Sequence, residues 1–259
     1  YPIFWDIQQL SNKNYLLGGK TDEQGCDAII LEINKDDGAI EWEKSYTTGS
    51  CEAFKKLIPI GEYIYGTGRF AMYSAANDKF RPVLMKMDSE GNEIWTKNMV
   101  FPISGSSRIY SFDMIEDNGL VSVNLGDENG QNLEQSKMQV IKTDYDGNII
   151  FAKGFYIDGK GYNRLEKIIN FPDGYLVYGS FKYQGDNSKL LIMKLDKNGE
   201  LIWSRSYEIG ISNIGKHIVY NNGYLYIVGT ITDESGDDLF YMKLDVDGKL
   251  PAECPGITE

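Results

Sequence analysis

One short pattern recurs five times along this chain of 259 residues. An apolar strand runs into an acidic or amide turn that contains glycine, and in four copies an aromatic residue follows four positions after that glycine. The turns begin at residues spaced 54, 56, 52 and 49 apart, namely Asn34, Asp88, Asp144, Asp196 and Asp245. Such a period indicates a repeat protein in which each copy is one structural unit.

Each repeat contains four short predicted strands. A second half-apolar strand runs into glycine between successive turns, as at residues 62–68, 174–180 and 223–230. Runs of Ile, Leu, Val and Tyr bounded by Gly, Asn and Asp are strand signals, and Asp-Gly and Asn-Gly turns favour hairpins. No stretch keeps a helical period over three turns. Four antiparallel strands in every repeat are typical of propeller blades.

The sequence therefore predicts an all-β fold, a five-bladed β-propeller of four-stranded antiparallel blades. We expect a single domain over residues 1–250, with a C-terminal tail at 251–259. The last blade is expected to be incomplete, because residues 249–256 contain two prolines. The recurring aromatics Trp42, Trp95, Phe151 and Trp203 are expected to fill the wedge against the next blade. The predicted blades cover residues 4–48, 51–100, 108–156, 163–208 and 214–250.

The charge balance excludes several kinds of partner. The formal net charge is -12, and the lysines and arginines are scattered. A chain with no basic stripe cannot replace the counterions of phosphates, so we expect no binding to nucleic acid. The apolar runs are far shorter than the ~20 residues needed to span a bilayer, so we expect no membrane insertion.

The strand–turn–strand segments resemble a known kind of repeat. The segment at residues 82–95 (PVLMKMDSEGNEIW) and the hairpin at 174–180 (GYLVYGS) resemble the secreted β-propeller repeats of bacterial and archaeal surface proteins. They are also similar to pyrroloquinoline-quinone-type propeller repeats. The resemblance implies the propeller fold and a surface binding module. Quinone-dependent propellers have about eight blades, and this chain departs from that number.

Propeller geometry separates short loops from long ones. The loops at residues 68–81, 100–108, 126–137 and 180–189 are long and differ from one another, and function concentrates on such loops. Aromatic and arginine side chains dominate binding hot spots. The predicted contact residues for a protein or glycan partner are Arg69, Phe70, Tyr73, Arg81, Tyr110, Tyr162 and Tyr183. The alternative is that these aromatics cover blade edges.

The first strand of each blade is expected to line a central channel. In an approximate register its equivalent inward positions are Gln8, Lys56, Asp113, Lys167 and His217. A glycosidase needs two carboxylates about 5–10 Å apart. The acidic residues on or near these strands that could converge are Asp6, Glu52, Asp113 and Glu166. The alternative is that they are solvated side chains.

The sequence predicts no catalytic triad, metal site or cofactor. His217 is the single histidine, and no G-x-S-x-G segment accompanies it. One histidine and three scattered cysteines lack the close ligand pairs of a zinc site. The two Asp-x-Asp-Gly segments resemble half of a calcium loop, but aspartate turns before glycine explain the same letters.

The three cysteines leave one pairing open to prediction. Cys26 and Cys51 precede strands at the junction of the first two blades, so a disulfide is geometrically possible. The alternative is two unpaired buried thiols. Cys254 has no obvious partner, and in an exported chain it invites pairing beyond this segment.

These observations lead to a functional prediction with two alternatives. The leading prediction is a non-enzymatic, exported β-propeller that binds a protein or glycan at a cell surface through its long loops. Export is favoured because the chain starts at Tyr1, as after removal of a leader. One alternative is a structural surface or filament subunit that contacts copies of itself. The other is a glycoside-cleaving enzyme with carboxylates in the channel.

Overall fold

The chain is built from β-strands. The computed structural model describes residues 1–21, 26–47, 52–71, 80–99, 110–127, 136–155, 161–183, 187–233 and 236–250. Within these ranges the chain forms nineteen strands and no helix, so the predicted all-β class is confirmed. It follows that no helix in the described part could cross a membrane. The strands are β1 (Ile3–Gln9), β2 (Tyr15–Lys20), β3 (Ala28–Ile33), β4 (Ile40–Tyr46), β5 (Ala53–Ile60), β6 (Tyr63–Ala71), β7 (Phe80–Asp88), β8 (Glu93–Asn98), β9 (Tyr110–Glu116), β10 (Leu120–Asp127), β11 (Ser136–Thr143), β12 (Ile149–Phe155), β13 (Gly161–Phe171), β14 (Gly174–Tyr183), β15 (Lys189–Asp196), β16 (Leu201–Tyr207), β17 (Ser212–Asn221), β18 (Tyr224–Asp233) and β19 (Gly236–Asp245).

The strands form five small sheets, and each sheet joins strands that are consecutive in the chain. The first four sheets have the orders β1-β2-β3-β4, β5-β6-β7-β8, β12-β11-β10-β9 and β13-β14-β15-β16. The fifth sheet joins β17-β18-β19 among the described residues. The predicted incomplete fourth strand covers residues 249–256, of which 251–256 lie outside the described residues, so it stays a prediction.

The chain divides into two compact units. The first comprises Tyr1–Ser122, Glu128–Gly130 and Thr143–Asn148, and the second comprises the rest. In the first unit, Leu16 and Ile30 of the first sheet are buried in one cluster with Phe54 and Leu57 of β5. In the second unit, Ile192 of the fourth sheet is buried with residues of the fifth sheet. The core of each unit therefore lies between successive sheets.

The recurring turns are shaped by their first residue. The Oδ1 atom of Asp144 accepts hydrogen bonds from the backbone N–H groups of Asp146 at 2.9 Å and Asn148 at 2.8 Å. Its Oδ2 atom accepts one from Nδ2 of Asn148 at 2.8 Å. The side-chain amide of Asn148 is the main cause that lowers the pKa of Asp144. Gly147 then takes a φ of 73°, a conformation in which a side chain is strained.

In the first unit, each recurring aromatic covers the turn of the following sheet. A Cβ on Gly91 would lie 2.8 Å from Trp42, and a Cβ on Gly147 would lie 2.8 Å from Trp95. The lysine two positions after each aromatic reaches the same turn: Nζ of Lys97 donates to the backbone oxygen of Asp146. We call this pairing of an aromatic ring with a turn glycine, supported by the nearby cation, the aromatic–glycine clasp.

The second unit repeats the clasp twice. The ring of Phe151 lies against Gly199, and the ring of Trp203 lies against Gly248. The Nε atom of Arg205, two positions after Trp203, donates to the backbone oxygen of Asp247 at 2.6 Å. All four recurring aromatics therefore contact the next turn, and that turn needs glycine both for its φ and for the ring above it.

We expect Gly147→Ala to destabilise the protein more than Gly38→Ala. Both glycines have a φ of 73°, but nothing lies within 4 Å of a Cβ placed on Gly38. An alanine at such a φ costs about 1–2 kcal/mol at either position. Crowding against Trp95 should add about 1–3 kcal/mol at position 147 only. Urea unfolding followed by fluorescence measures the difference, and equal losses would contradict the clasp.

Candidate active site

The first strands of four of the sheets share a β-bulge. The pairing of β1 with β2 shifts register at Trp5, and that of β5 with β6 shifts at Lys55. The same shift occurs at Glu166 in β13 and at Lys216 in β17. A bulge re-aims the side chains beside it and is over-represented at functional sites. This repeated bulge is the feature that places the polar residues of these strands.

The residue after the bulge defines a polar row. Structural pairing assigns Asp6, Lys56, Lys167 and His217 to equivalent positions, and Asp113 holds the same place in the sequence of β9. The sequence-based register placed Gln8 in this row, two residues away from Asp6. The error arises because the strand alternation alone does not reveal the extra residue of the bulge.

Asp6 is held by several donors in the first unit. Its Oδ1 atom lies 3.0 Å from Nζ of Lys56, and its Oδ2 atom accepts the backbone N–H of Leu57 at 2.8 Å. The Nε2 atom of Gln8 lies 3.0 Å from both carboxylate oxygens. The side chain of Asp6 is 12% exposed. The carboxylate is therefore fixed in orientation between β1 and β5.

Two further carboxylates of the first unit are buried. Glu52 immediately precedes β5 and is 0% exposed, and Asp113 of β9 is 4% exposed. Strands β1 and β9 both contact β5. Three of the four acidic residues predicted to converge thus lie on or beside contacting first strands of one unit.

The fourth predicted acid, Glu166, lies in the second unit. Burial raises the pKa of this carboxyl, while the positive charges of Arg164, Lys216 and Lys167 lower it. The Nε atom of Arg164 lies 3.2 Å from Oε1 of Glu166. Because Glu166 is the extra residue of its bulge, it occupies the place of Trp5 rather than that of Asp6.

The bulge also forms a stacked pair that the sequence analysis missed. Nζ of Lys55 lies 3.3 Å from the ring centroid of Trp5, which is 41% exposed. These two residues are the bulge residues of β1 and β5. A cation over an indole face is an attractive arrangement. Trp5 and Lys55 hold the same position in two successive first strands. A register that included the bulge would have indicated this pair from the sequence.

The predicted loop contact residues lie mostly outside the described side chains. Phe70 is 2% exposed and its ring centroid lies 5.1 Å from that of Phe54, so it belongs to the core and is not available to a partner. Arg69 is half-buried in β6, paired with Ala53. Tyr73 lies outside the described residues, as do the side chains of four residues located in strands, Arg81, Tyr110, Tyr162 and Tyr183.

Only one residue of the predicted cysteine pair lies in the described region. Cys26 lies just before β3 with a φ of 43°, and Cys51 is not among the described residues. The disulfide therefore stays a prediction, as does any partner of Cys254.

The aspartate turns use their oxygens within the turn. Asp245 resembles Asp144, because its Oδ1 atom accepts the backbone N–H groups of Asp247 at 2.9 Å and Lys249 at 2.7 Å. Across the described residues, no group of three His, Cys, Asp or Glu side chains is arranged to hold a metal ion. The Asp-x-Asp-Gly letters are thus accounted for by hydrogen bonding.

A cavity in the second unit offers different chemistry. It has a volume of about 460 Å³ and is lined mainly by apolar residues of the third and fourth sheets, together with Arg205, Ser204 and Ser206. The described lining contains no carboxylate, so it lacks the groups that acid–base cleavage needs. The carboxylates of the first unit remain the better candidate site.

Comparisons with known proteins bear on the fold. No protein-family model matches the chain, and no curated protein matches its sequence. Solved structures do match. The chain is similar to the endosialidase of phage phi92, with 9% identity and a TM-score of 0.59, over 99% of this chain and 56% of that chain. It thus spans little more than half of that enzyme. The resemblance to surface propeller repeats stays a prediction.

A second match has the same character. A protein from Bacteroides uniformis named "putative 6-phosphogluconolactonase" is 10% identical, with a TM-score of 0.51, over 91% of this chain and 69% of that chain. Identities this low show the fold alone. The prediction of a non-enzymatic module is nevertheless contradicted, because both of these matched structures are named as enzymes. The sequence analysis gave more weight to the long loops than to the carboxylates near the first strands, because the burial of those carboxylates depends on how the sheets pack.

We expect Glu166→Gln to change how stability depends on pH. A glutamate with a raised pKa binds its proton more tightly in the folded state, so the wild type loses stability as pH rises from the ordinary glutamate value through the raised one. The variant lacks this loss, so its stability relative to wild type should rise across that window.

Glu208→Gln is the control of opposite sign. The side chain of Lys189 lowers the pKa of Glu208, so this carboxylate stabilises the fold above the ordinary value. The control variant should lose stability relative to wild type as pH rises from the lowered pKa to the ordinary glutamate value. Thermal melts from about pH 3 to about pH 8 measure both variants, and a shift of both in the same direction would contradict the assignment.

Proposed function

We propose that this protein is a glycoside-cleaving enzyme whose active site lies on the first strands of the first unit. The observation that carries the proposal is the set of three low-exposure carboxylates, Asp6, Glu52 and Asp113, on or beside β1, β5 and β9. Glycoside cleavage needs one carboxyl group to protonate the leaving oxygen and another to act as nucleophile or base. The fold match to an endosialidase supports this chemistry.

The contacts of the carboxylates suggest separate roles. Asp6 accepts hydrogen bonds from Lys56, Leu57 and Gln8, which fix its oxygens. An oriented carboxylate suits attack on the anomeric carbon or activation of water. Asp113, which lies on β9 and is more buried than Asp6, is assigned as the proton donor, with the buried Glu52 beside β5 as the alternative donor.

The exposed indole near this set suits sugar binding. Trp5 precedes Asp6 and presents part of its ring to solvent, with Lys55 on one face. An aromatic ring offers an apolar face against which a sugar ring packs. In this proposal Trp5 positions the substrate and takes no part in the bond-breaking step.

The finer fold assignment belongs to the same proposal. We infer that the five sheets are the blades of a β-propeller, since four aromatic–glycine clasps connect successive sheets in the same way. Propeller blades are small antiparallel sheets of consecutive strands. We also propose that the protein is exported, as the resemblance to surface repeats implies.

Export would allow the predicted disulfide, which thiol counting tests. If Cys26 and Cys51 are paired, the denatured, unreduced protein should show one free thiol, that of Cys254. Cys51→Ser should then show two, because Cys26 loses its partner. Three free thiols in the wild-type protein, purified from an oxidising compartment, would contradict the pairing.

Hydrolysis assays test the enzymatic proposal. The purified protein is offered a panel of oligosaccharides and aryl glycosides that differ in sugar and linkage, including sialylated ones. Asp6→Asn and Asp113→Asn should each lower kcat/KM by about 10²–10⁴-fold, the typical contribution of acid–base catalysis. Glu52→Gln decides between the two candidate proton donors: it should keep activity if Asp113 is the donor, and it should show this loss in place of Asp113→Asn if Glu52 is the donor.

Asp36→Asn is the matched control, because its side chain is 77% exposed in a turn. It should keep full activity. The proposal is overturned if the folded wild-type protein cleaves no member of the panel, or if both Asp6→Asn and Asp113→Asn retain wild-type rates.

A further inference from the structure

The cavity of the second unit lies where the third sheet departs from the repeat. In the first and fourth sheets, a tyrosine follows the clasp aromatic by four positions. The hydroxyl of Tyr46 donates to the backbone oxygen of Gly91 in the next turn at 2.5 Å. The hydroxyl of Tyr207 donates to the backbone oxygen of Gly248 in the same way. The third sheet has Phe155 at this position, which carries no hydroxyl group and lines the cavity.

The clasp aromatic of the third sheet is also smaller than its counterparts. Phe151 holds the position of Trp42 in the first sheet and Trp203 in the fourth, and a phenyl ring lacks the second ring of an indole. Two repeat positions that face the fourth sheet therefore carry less aromatic volume. The cavity of about 460 Å³ between these sheets has the size of a small-molecule site, which is typically about 300–1,000 Å³.

The floor of the cavity is apolar and aromatic. The rings of Phe155 and Phe181 line it from the third and fourth sheets respectively. Methionine side chains adapt to irregular shapes and make favourable contacts with aromatic rings. The floor therefore favours an aromatic ligand. Its remaining buried side chains are Met138, Leu191 and Met193.

Two serine hydroxyl groups lie at the rim of this floor. Ser204 pairs with Met193 and Ser206 pairs with Leu191, so both serines share a sheet face with floor residues. Both serines line the cavity and are exposed. A serine hydroxyl both donates and accepts hydrogen bonds. The rim can therefore bind a hydroxyl group of a ligand whose ring lies on the floor.

The charge of Arg205 is directed away from the cavity. Arg205 pairs with Ile192 and so lies on the opposite face from the two serines. Its Nε atom donates to the backbone oxygen of Asp247 at 2.6 Å, in the turn that follows β19. The described lining holds no other charged residue. Because an unpaired charge is costly to remove from water, the site suits a neutral ligand.

We propose that the cavity between the third and fourth sheets binds a small neutral aromatic molecule that carries a hydroxyl group. Such a ligand would supply the ring and the hydroxyl that the third sheet lacks relative to the first and fourth. All the residues that line the cavity belong to the second unit. The inference is therefore independent of the proposed enzymatic function, whose carboxylates lie in the first unit.

A fluorescent naphthol tests the site in the purified whole chain. The probe is 2-naphthol, which is neutral at neutral pH, and its titration should show saturable binding of one molecule per chain. The anion 2-naphthoate has the same ring system and should bind more weakly. Ser206→Ala should weaken 2-naphthol binding by about two- to tenfold, the worth of one hydrogen bond. Ser206→Trp should abolish binding, because its indole would occupy the rim.

Ser45→Trp is the matched control for the bulky substitution. Ser45 is exposed and pairs with Ile29 in the first sheet as Ser206 pairs with Leu191 in the fourth. This control should bind 2-naphthol as the wild type does. Circular dichroism and thermal melting show whether each variant is folded.

A second pair of variants serves if Ser206→Trp does not fold. Leu201 lines the cavity at its rim, and Ile40 holds the equivalent position in the first sheet, two residues before the clasp aromatic. Both side chains are exposed. Leu201→Trp should abolish the binding of 2-naphthol, and Ile40→Trp should leave it unchanged.

Three results would overturn the proposal. The first is a folded wild-type protein that shows no saturable binding of 2-naphthol. The second is a folded rim variant that binds the probe as tightly as its matched control, which would place the probe elsewhere. The third is 2-naphthoate that binds as tightly as 2-naphthol, because the site would then not select a neutral ligand.

Discussion

The contact between an aromatic ring and a turn glycine holds this protein together. Each sheet is too small to bury its own apolar residues, so its stability depends on the next sheet. Trp42, Trp95, Phe151 and Trp203 make this connection by covering a glycine whose φ is positive. The aspartate at the start of the turn accepts hydrogen bonds from the turn backbone and so fixes the position of the glycine. The aspartate, the glycine and the aromatic residue therefore all contribute to the interface between two successive sheets.

Much of the fold could be predicted from the sequence, because the signals are local and repeated. Turn glycines, strand alternation and the spacing of the aromatics all lie within one period. The register of the first strands was missed at Gln8, because a β-bulge depends on how two strands pair and leaves no mark in the alternation.

The candidate site was predicted only in part, for a related reason. Asp6, Glu52 and Asp113 were recognised as acidic residues near the first strands, but their burial comes from the packing of neighbouring sheets, which is a tertiary property. Phe70 was misjudged in the opposite direction: an aromatic beside a long loop suggested exposure, yet its ring packs on Phe54. Residue type indicates candidates, and the packing of the sheets decides among them.

The repeated bulge in the first strands has an evolutionary consequence. Because the backbone irregularity recurs at Trp5, Lys55, Glu166 and Lys216, it belongs to the scaffold and not to one residue's chemistry. A point mutation at the position that follows can therefore exchange acid, base or imidazole without rebuilding the backbone. Duplication of an ancestral segment would have supplied several equivalent positions after the bulge at once, and selection could then change the residue at each position separately.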